Sequence, residues 1–211
     1  MAPLLLQMLE GTVTSLQIFF LTLLFSLPLG FVVAKGKMTS IRPVRWITDL
    51  YIQIMRGTPL ILQLIFFYFA PFYLLGLSYD RFTACIVAFV VNYSAYFAEI
   101  YRTGLQAVPR GQWEAGKVLG FSRAYTFFHI ILPQVVKTIM PSLGNEVITL
   151  VKDTALAQTI GVSELFRVAQ TASSREFSTV PIFIAGLFYF VMNYIVSRLF
   201  ALAEKKLDYY R

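Results

Sequence analysis

The sequence is dominated by long apolar stretches in which charged side chains are rare or absent. Residues 11–34 contain no charged side chain at all. A helix of about 20 apolar residues is long enough to cross the hydrocarbon core of a bilayer, which is about 30 Å thick. The chain of 211 residues is 57% hydrophobic and only 14% charged, whereas soluble domains are about 25% charged. These features argue against a water-soluble globule and predict an all-α, polytopic membrane protein.

Five apolar segments follow one another, and we interpret them as five transmembrane helices in a single domain that covers residues 1–211. The second segment is long enough to contain a break. Arg56-Gly57-Thr58-Pro59 supplies it, because Pro59 lacks an amide donor and restricts the residue before it. The predicted spans are about residues 11–34, 46–77, 82–101, 138–162 and 177–203.

The basic residues indicate the orientation of these spans. Thirteen of the 18 Lys and Arg fall on one side of a five-span arrangement, and only Arg81, Arg167 and Arg175 fall on the other. Basic residues are enriched in cytoplasmic loops, so we predict an N-terminus outside and a C-terminus in the cytoplasm. No basic tail or arm with interleaved aromatics predicts nucleic acid binding. The thirteen are Lys35, Lys37, Arg42, Arg45, Arg102, Arg110, Lys117, Arg123, Lys137, Arg198, Lys205, Lys206 and Arg211.

A basic segment between the third and fourth spans, residues 102–136, is too long to be a simple turn. Pro109 is well placed to open a helix, and Gly120 to close it. Ser122 is placed to cap a second short helix that runs toward Pro133. The segment is therefore predicted to form a helical hairpin on the cytoplasmic side.

The first helix of this hairpin has features that suit the docking of another protein. Ala115 and Gly116 are small enough to let a partner surface approach the backbone. Trp113 lies nearby as a large apolar anchor. We therefore expect this helix to be a contact surface for a cytoplasmic partner.

A spaced pattern runs through the hairpin: Glu114-Ala115-Gly116, Gly120, Ile130, Leu132 and Pro133. It resembles the EAA signature of the permeases of ATP-binding-cassette (ABC) importers, which reads E-A-A, three residues, G, nine residues, I-x-L-P. Only Gly116 departs from it; glycine in place of alanine stays small but weakens a helix by about 1 kcal/mol. The resemblance implies that Glu114, Ala115, Gly116 and Gly120 couple the permease to a separate ATPase subunit.

Four further stretches are similar to the polar amino acid subfamily of these permeases, which includes histidine, arginine, lysine, glutamine and glutamate importers. The resemblance implies a multi-pass protein of the prokaryotic inner membrane with five spans and an outside N-terminus. It implies partners as well: two cytoplasmic ATPase subunits, a second permease subunit, identical or similar, and an extracellular or periplasmic solute-binding protein that delivers the amino acid. The stretches are residues 56–60 (RGTPL), 98–102 (AEIYR), 108–112 (VPRGQ) and 150–154 (LVKDT).

The residues give no support for chemistry or cofactor binding by this chain itself. Residues 111–117 fit the start of the phosphate-loop pattern, but Val118 stands where a hydroxyl would bind Mg²⁺, and the predicted context is helical. One cysteine, Cys85, and one histidine, His129, make up neither a metal site nor a catalytic set. We expect no catalytic residue, metal or cofactor here, with ATP and Mg²⁺ held by the partner ATPase.

Polar side chains inside the spans are candidates for substrate contacts, because a charge in the bilayer costs a few kcal/mol unless it is paired or faces a watery cavity. In the fourth span, Glu146 and Asp153 share one helical face, with Asn145 and Lys152 beside them. The alternative role for each is an internal ion pair that fixes helix packing. The candidates are Asp153, Glu99, Asn145, Arg56, Gln53 and Glu146.

A free amino acid presents one carboxylate and one ammonium group, so its site needs a positive or amide donor and a carboxylate acceptor. Arg56 or Asn145 would supply the donor, and Asp153 or Glu99 the acceptor. Three carboxylates against two cations among these intramembrane charges favour a substrate with an extra positive charge, such as arginine, lysine or histidine. Glu99 and Lys152-Asp153 also belong to the family pattern whatever the substrate.

Three other functions stay open from the sequence. An ion-coupled secondary transporter or channel for a small polar solute would use Glu99 and Asp153 and would need no ATP. A membrane-embedded enzyme would need a catalytic set that we do not find. A membrane anchor for cytoplasmic proteins would explain the hairpin but not the polar face of the fourth span.

Overall fold

The structure, a computed structural model, describes residues 2–207, and every regular segment among them is helical. The all-α prediction is confirmed for this part of the chain; Arg211 lies outside the described residues. A π-helical turn, Phe127–Ile131, joins α6 to α7, and a 3-10 helix, Thr154–Ile160, follows α7. The helices are α1 (Ala2–Met38), α2 (Arg42–Gly57), α3 (Leu60–Leu75), α4 (Arg81–Ala107), α5 (Arg110–Val118), α6 (Arg123–Thr126), α7 (Leu132–Asp153), α8 (Leu165–Glu176) and α9 (Val180–Leu207).

Three of these helices, α1, α4 and α9, are individually long and apolar enough to cross a membrane. The pair of α2 and α3 passes the same test together, with a bend of 112° between the two helices. By length and composition the described residues therefore contain three or four candidate spans, and the predicted number of five is not confirmed.

The fourth predicted span is the one that differs most from the structure. We expected residues 138–162, but α7 begins at Leu132 and ends at Asp153, and residues 154–160 form the tighter 3-10 helix. Four charged side chains in 22 residues give α7 a larger charged fraction than α1, α4 or α9 has. α8, a short helix with an exposed polar face, was not predicted from the sequence. The four charged residues of α7 are Lys137, Glu146, Lys152 and Asp153.

The break between α2 and α3 lies where the Arg56-Gly57-Thr58-Pro59 sequence predicts it. Pro59 is the N-cap of α3, and side chains take over the hydrogen bonds that the break leaves open. The buried Gln63 amide donates to the backbone oxygens of Met55, at 2.9 Å, and Thr58, at 3.2 Å. The Asn92 amide of α4 donates to the same Met55 oxygen at 3.1 Å and to Gln63 Oε1 at 2.9 Å. Since apolar surroundings penalise unpaired backbone groups, these two amides stabilise the bend.

The core lies between α1 and α4, which pack along most of their lengths. Gly30 of α1 permits the close approach, because a Cβ at this position would lie 2.9 Å from Phe97 Cβ and 3.0 Å from the Ser94 backbone oxygen. Small residues at such crossings let the backbones of membrane helices approach closely. Phe89 and Tyr93 of α4 stack in the centre of this core.

Glu164, which precedes α8, is completely buried and connects three helices. Its carboxylate accepts hydrogen bonds from the backbone amides of Phe166 and Arg167, both at 2.7 Å, and so caps α8. The Tyr189 hydroxyl of α9 donates to it at 2.8 Å, and the Ser15 hydroxyl of α1 lies 3.5 Å away. Glu164 therefore connects α8 to both α1 and α9.

We expect Glu164→Ala to lower the thermal midpoint of unfolding by about 4–8 °C, because it removes a helix cap and the charged acceptor of the Tyr189 hydroxyl. The thiol of Cys85 provides the measurement. It is the only cysteine in the sequence and is fully buried, so a thiol-reactive fluorescent dye labels it only on unfolding. Glu176→Ala removes an exposed carboxylate from the same helix and is expected to leave the midpoint unchanged. An equal midpoint for both variants would contradict the assigned role of Glu164.

Candidate functional site

Asp153, at the end of α7, is joined directly to the core of the bundle. The Tyr93 hydroxyl of α4 donates a hydrogen bond to Asp153 Oδ2 at 2.8 Å. Tyr93 is 1% exposed, whereas Asp153 is only partly buried. The tyrosine thus holds the carboxylate at the junction of α4 and α7, with part of the aspartate surface still accessible.

Three further polar side chains, Glu146, Tyr96 and Arg56, extend the polar region from Asp153 toward α2. The Arg56 guanidinium lies over the Tyr96 ring, 5.2 Å from the ring centre. Glu146 is within electrostatic range of both Arg56 and Asp153, and Tyr96 is within range of all three charged groups. The structure therefore brings together three of the predicted candidates from two separate helices. We call this group, Arg56, Tyr93, Tyr96, Glu146 and Asp153, the α4–α7 polar cluster.

Asn145 lies at the edge of this cluster. It is exposed, and its backbone oxygen accepts a hydrogen bond from the Thr149 hydroxyl at 2.9 Å. Lys152 is exposed on the same helix. The polar side of α7 is thus open in the single chain, as a surface that lines a path would be.

Glu99 lies in a different environment. Its carboxylate is 2.7 Å from Lys37 Nζ and 2.7 Å from Arg102 Nη2, and 3.9 Å from Arg56 Nη1. With cations of three helices around one carboxylate, the geometry favours the alternative role, an internal ion pair that fixes packing. Its side chain is 13% exposed.

Gln53 belongs to the Glu99 environment as well. Its amide donates to Asp49 at 2.9 Å, and Asp49 in turn lies 2.9 Å from Lys37 Nζ. The ion cluster of Lys37, Asp49, Gln53, Glu99 and Arg102 joins the ends of α1, α2 and α4. The six substrate-contact candidates thus divide: Arg56, Glu146 and Asp153 belong to the α4–α7 polar cluster, Asn145 borders it, and Glu99 and Gln53 lie in the ion cluster.

Tyr93 and Tyr96 were not among the predicted site residues, although the sequence contains a signal for them. Asn92, Tyr96 and Glu99 recur at helical spacing inside an otherwise apolar segment and so mark one polar side of α4. Tyr93 lies one position away from this side and reaches Asp153. A search for tyrosine and amide side chains, beside charges, would have found both.

Two short helices, α5 and α6, occupy the segment for which we predicted a helical hairpin, and we keep the name hairpin for them. Pro109 is the N-cap of α5, one residue before the helix begins. Gly120 has φ +76°, and the Phe121 amide donates to the Gly116 oxygen at 2.9 Å, which closes α5. The Ser122 hydroxyl caps α6 by accepting from the Tyr125 amide at 3.2 Å.

We predicted a second short helix that runs toward Pro133. The segment does run toward Pro133, but it is not a separate short helix, because α6 continues through the π-helical turn directly into α7, in which Pro133 occupies one of the first two positions. Proline is tolerated in the first turn of a helix, because the backbone N–H that it lacks would have no hydrogen-bond acceptor within the helix at this position. The hairpin is therefore continuous with the helix that carries Glu146 and Asp153.

Gly116 faces the inside of the hairpin. A Cβ at this position would lie 2.6 Å from the Thr126 Oγ1 atom and 2.7 Å from its Cγ2 atom. The departure from the alanine of the family pattern thus has a local reason, since Thr126 occupies the space of the missing methyl group. Glu114 and Ala115 are exposed on α5.

The outer end of the hairpin carries exposed apolar side chains. Val118 is 86% exposed and Leu119 68% exposed. Phe121 and Tyr125 are also exposed, and the Tyr125 ring stacks on His129 at 4.2 Å. These four residues, Val118, Leu119, Phe121 and Tyr125, form what we call the hairpin tip.

The comparisons with known proteins agree with this geometry. The profile of a family described as "Binding-protein-dependent transport system inner membrane component" matches residues 26–209. The chain belongs to this family. The membership that the EAA-like pattern indicated is thereby confirmed.

Several members of the family are similar over nearly their whole length. The arginine transport system permease protein ArtQ of Bacillus subtilis is 38% identical over 94% of this chain and 91% of its own. The L-cystine permease TcyB of the same organism is 36% identical over 95% and 86%, respectively. A putative glutamine permease, GlnP, of Rickettsia bellii is 36% identical over 98% and 95%.

Solved structures give the same result for the fold. A chain of a crystal structure described as an amino acid ABC transporter with histidines superposes with a TM-score of 0.87, at 37% identity over 95% of this chain and 94% of that one. A chain of the MetNI methionine ABC transporter superposes with a TM-score of 0.72 at 17% identity. The second likeness concerns the fold alone.

Proposed function

We propose that this chain is the permease subunit of an ATP-driven importer for a polar, cationic amino acid such as arginine, lysine or histidine. The observation that carries the proposal is the full-length similarity to amino acid permeases, which covers at least 94% of this chain for each of three relatives. Their names include arginine, cystine and glutamine, so the relatives support an amino acid without fixing which one.

The choice of a cationic substrate rests on the charges of the α4–α7 polar cluster. Glu146 and Asp153 contribute two carboxylates; Arg56 is the cation near Glu146, and the exposed Lys152 is the cation near Asp153. Arg56 also lies 3.9 Å from Glu99, so these two cations face three carboxylates. We propose that Asp153 and Glu146 receive the positive side chain or ammonium group of the substrate, and that Asn145 or Arg56 receives its carboxylate.

We propose that the bent pair of α2 and α3 forms one span, and that this span and α7 complete a set of five membrane spans with α1, α4 and α9, with the N-terminus outside and the C-terminus in the cytoplasm. α3 is almost entirely apolar, and the polar side of α7 that includes Asn145 and Lys152 is exposed in the single chain. Two copies, or this chain and a similar subunit, would enclose the path between their α7 helices. In this arrangement the importer works by alternating access, in which the path between the two halves opens to one side of the membrane at a time.

The ATPase is proposed to be a separate cytoplasmic chain that holds ATP and Mg²⁺ and docks on the hairpin of α5 and α6. The continuity of the hairpin with α7 supports this coupling, because a displacement of α6 is transmitted to Glu146 and Asp153 without an intervening loop. A solute-binding protein on the opposite side would deliver the amino acid.

The test is uptake by proteoliposomes that contain this chain, its ATPase and the solute-binding protein. We expect uptake of labelled arginine to require ATP on the side of the membrane that carries the ATPase. Arginine uptake should also exceed uptake of glutamine. A matched preparation with a Walker-A lysine variant of the ATPase should take up nothing. Preference for glutamine would overturn the cationic assignment, and uptake by this chain alone, driven by an ion gradient, would establish a secondary transporter instead.

A further inference from the structure

A cavity of about 430 Å³ lies where the end of α1 meets the beginning of α2. It lies near the N-terminal end of α2, whereas Arg56 of the α4–α7 polar cluster lies near the C-terminal end, and the proposed transport function does not use it. Its lining residues are Lys37, Arg42, Arg45, Trp46 and Asp49.

The charge of this cavity is positive and only partly neutralised. Its single carboxylate, Asp49, is already held by Lys37 Nζ and by the Gln53 amide, both at 2.9 Å. Arg42 and Arg45 are exposed and have no ion-pair partner within residues 2–207. Two guanidinium groups are therefore available to an anion.

The surroundings of the two arginines are apolar. Trp46 is 67% exposed, and its neighbours Ile41 and Ile47 are 59% and 60% exposed. The group lies directly beside the end of α1, the first candidate membrane span. Tryptophan and basic residues next to exposed aliphatic side chains are typical of segments at the headgroup level of a bilayer.

We propose that this cavity binds the phosphate headgroup of an anionic lipid in the leaflet at the C-terminal end of α1. Arg42 and Arg45 donate hydrogen bonds to the phosphate oxygens, for which the planar guanidinium is well suited. Trp46 and Ile47 lie against the glycerol and upper acyl region. A free phosphate ion would leave these apolar side chains in water, so a lipid is the occupant that satisfies both halves of the surface.

Trp46 provides a direct readout. The sequence has only two tryptophans, Trp46 and Trp113, so the full-length Trp113→Phe chain reports from Trp46 alone. It is reconstituted in bilayers of phosphatidylcholine that contain a low fraction of phosphatidylglycerol, with brominated acyl chains on one lipid or the other. We expect brominated phosphatidylglycerol to quench Trp46 fluorescence much more than its mole fraction in the bilayer predicts. Brominated phosphatidylcholine should quench it no more than its mole fraction predicts.

In the Arg42→Gln/Arg45→Gln variant, the affinity for phosphatidylglycerol relative to phosphatidylcholine, as obtained from this quenching, should fall about 30-fold. The reason is that each basic residue near an anionic membrane surface contributes to binding. Lys205→Gln/Lys206→Gln is the matched control: it removes the same charge from two exposed residues at the end of α9 and should retain the selectivity. Labelling of Cys85 on heating verifies that both variants are folded. Equal loss in the two variants, or equal quenching by both lipids, would overturn the site. Displacement of the lipid by millimolar inorganic phosphate would overturn the lipid as its occupant.

Discussion

Asp153→Asn is expected to lower ATP-driven uptake of a cationic amino acid about 10- to 100-fold, the range for losing a hydrogen bond to a charged group. Asparagine still accepts the hydrogen bond of the Tyr93 hydroxyl, which the wild type makes at 2.8 Å. The junction of α4 and α7 is thus kept, and only the negative charge is lost. The measurement is initial uptake of labelled arginine by the reconstituted complex, with ATPase content determined on the same vesicles.

Tyr93→Phe and Asp80→Asn are the controls that separate charge from packing. Tyr93→Phe removes the hydrogen bond between Tyr93 and Asp153 but keeps the carboxylate. It should therefore reduce uptake of all substrates to a similar extent, and by less than Asp153→Asn reduces arginine uptake. Asp80→Asn makes the same chemical change at the N-cap of α4, where asparagine caps equally well. Asp80 lies outside the candidate spans, and hydrogen bonds from the Thr83 hydroxyl and backbone amide lower the pKa of its carboxyl.

The selectivity of the loss decides the interpretation. If Asp153 receives a positive group, Asp153→Asn should reduce arginine uptake more than glutamine uptake. Equal reductions for both substrates, matched by Tyr93→Phe, would make Asp153 a packing residue. Unchanged uptake would remove it from the substrate path altogether.

The helix ends of the hairpin could be predicted from the sequence because their chemistry is local. Pro109, Gly120 and Ser122 each act on backbone groups within four residues of their own position. The break before Pro59 is predictable for the same reason. The continuation of α6 into α7 was not, because the π-helical turn depends on how the two segments pack.

The grouping of the intramembrane charges could not be predicted from the sequence. Glu99 and Asp153 look equivalent along the chain, since each is a carboxylate at the end of an apolar segment. Their environments differ because Glu99 meets Lys37 of α1 and Arg102 of α4, whereas Asp153 meets a tyrosine. Which helices become neighbours is a property of the whole bundle and decides which charge is neutralised internally.

Replacing two residues of the hairpin tip, Val118→Asp and Leu119→Asp, is expected to weaken binding of the partner ATPase roughly 100-fold or more. An apolar contact at the centre of an interface loses its burial energy, and an unpaired carboxylate buried there adds a desolvation cost. Both side chains are strongly exposed in this chain, at 86% and 68%, so the substitution leaves its own packing intact. The measurement is the amount of ATPase retained when the tagged permease is purified from membranes.

Phe177→Asp is the matched control for this substitution. Phe177 is 99% exposed and lies between α8 and α9, in a segment proposed to be on the opposite side of the membrane, and its φ of 49° is a conformation that aspartate adopts more readily than phenylalanine. The Phe177→Asp variant should co-purify with the ATPase and should show an unchanged thermal midpoint of Cys85 labelling. A tip variant that keeps its ATPase would place the docking surface elsewhere. If the tip variant instead loses both the ATPase and the labelling midpoint, α5 and α6 would be packing elements of the permease itself, and coupling would have to run through another part of the chain.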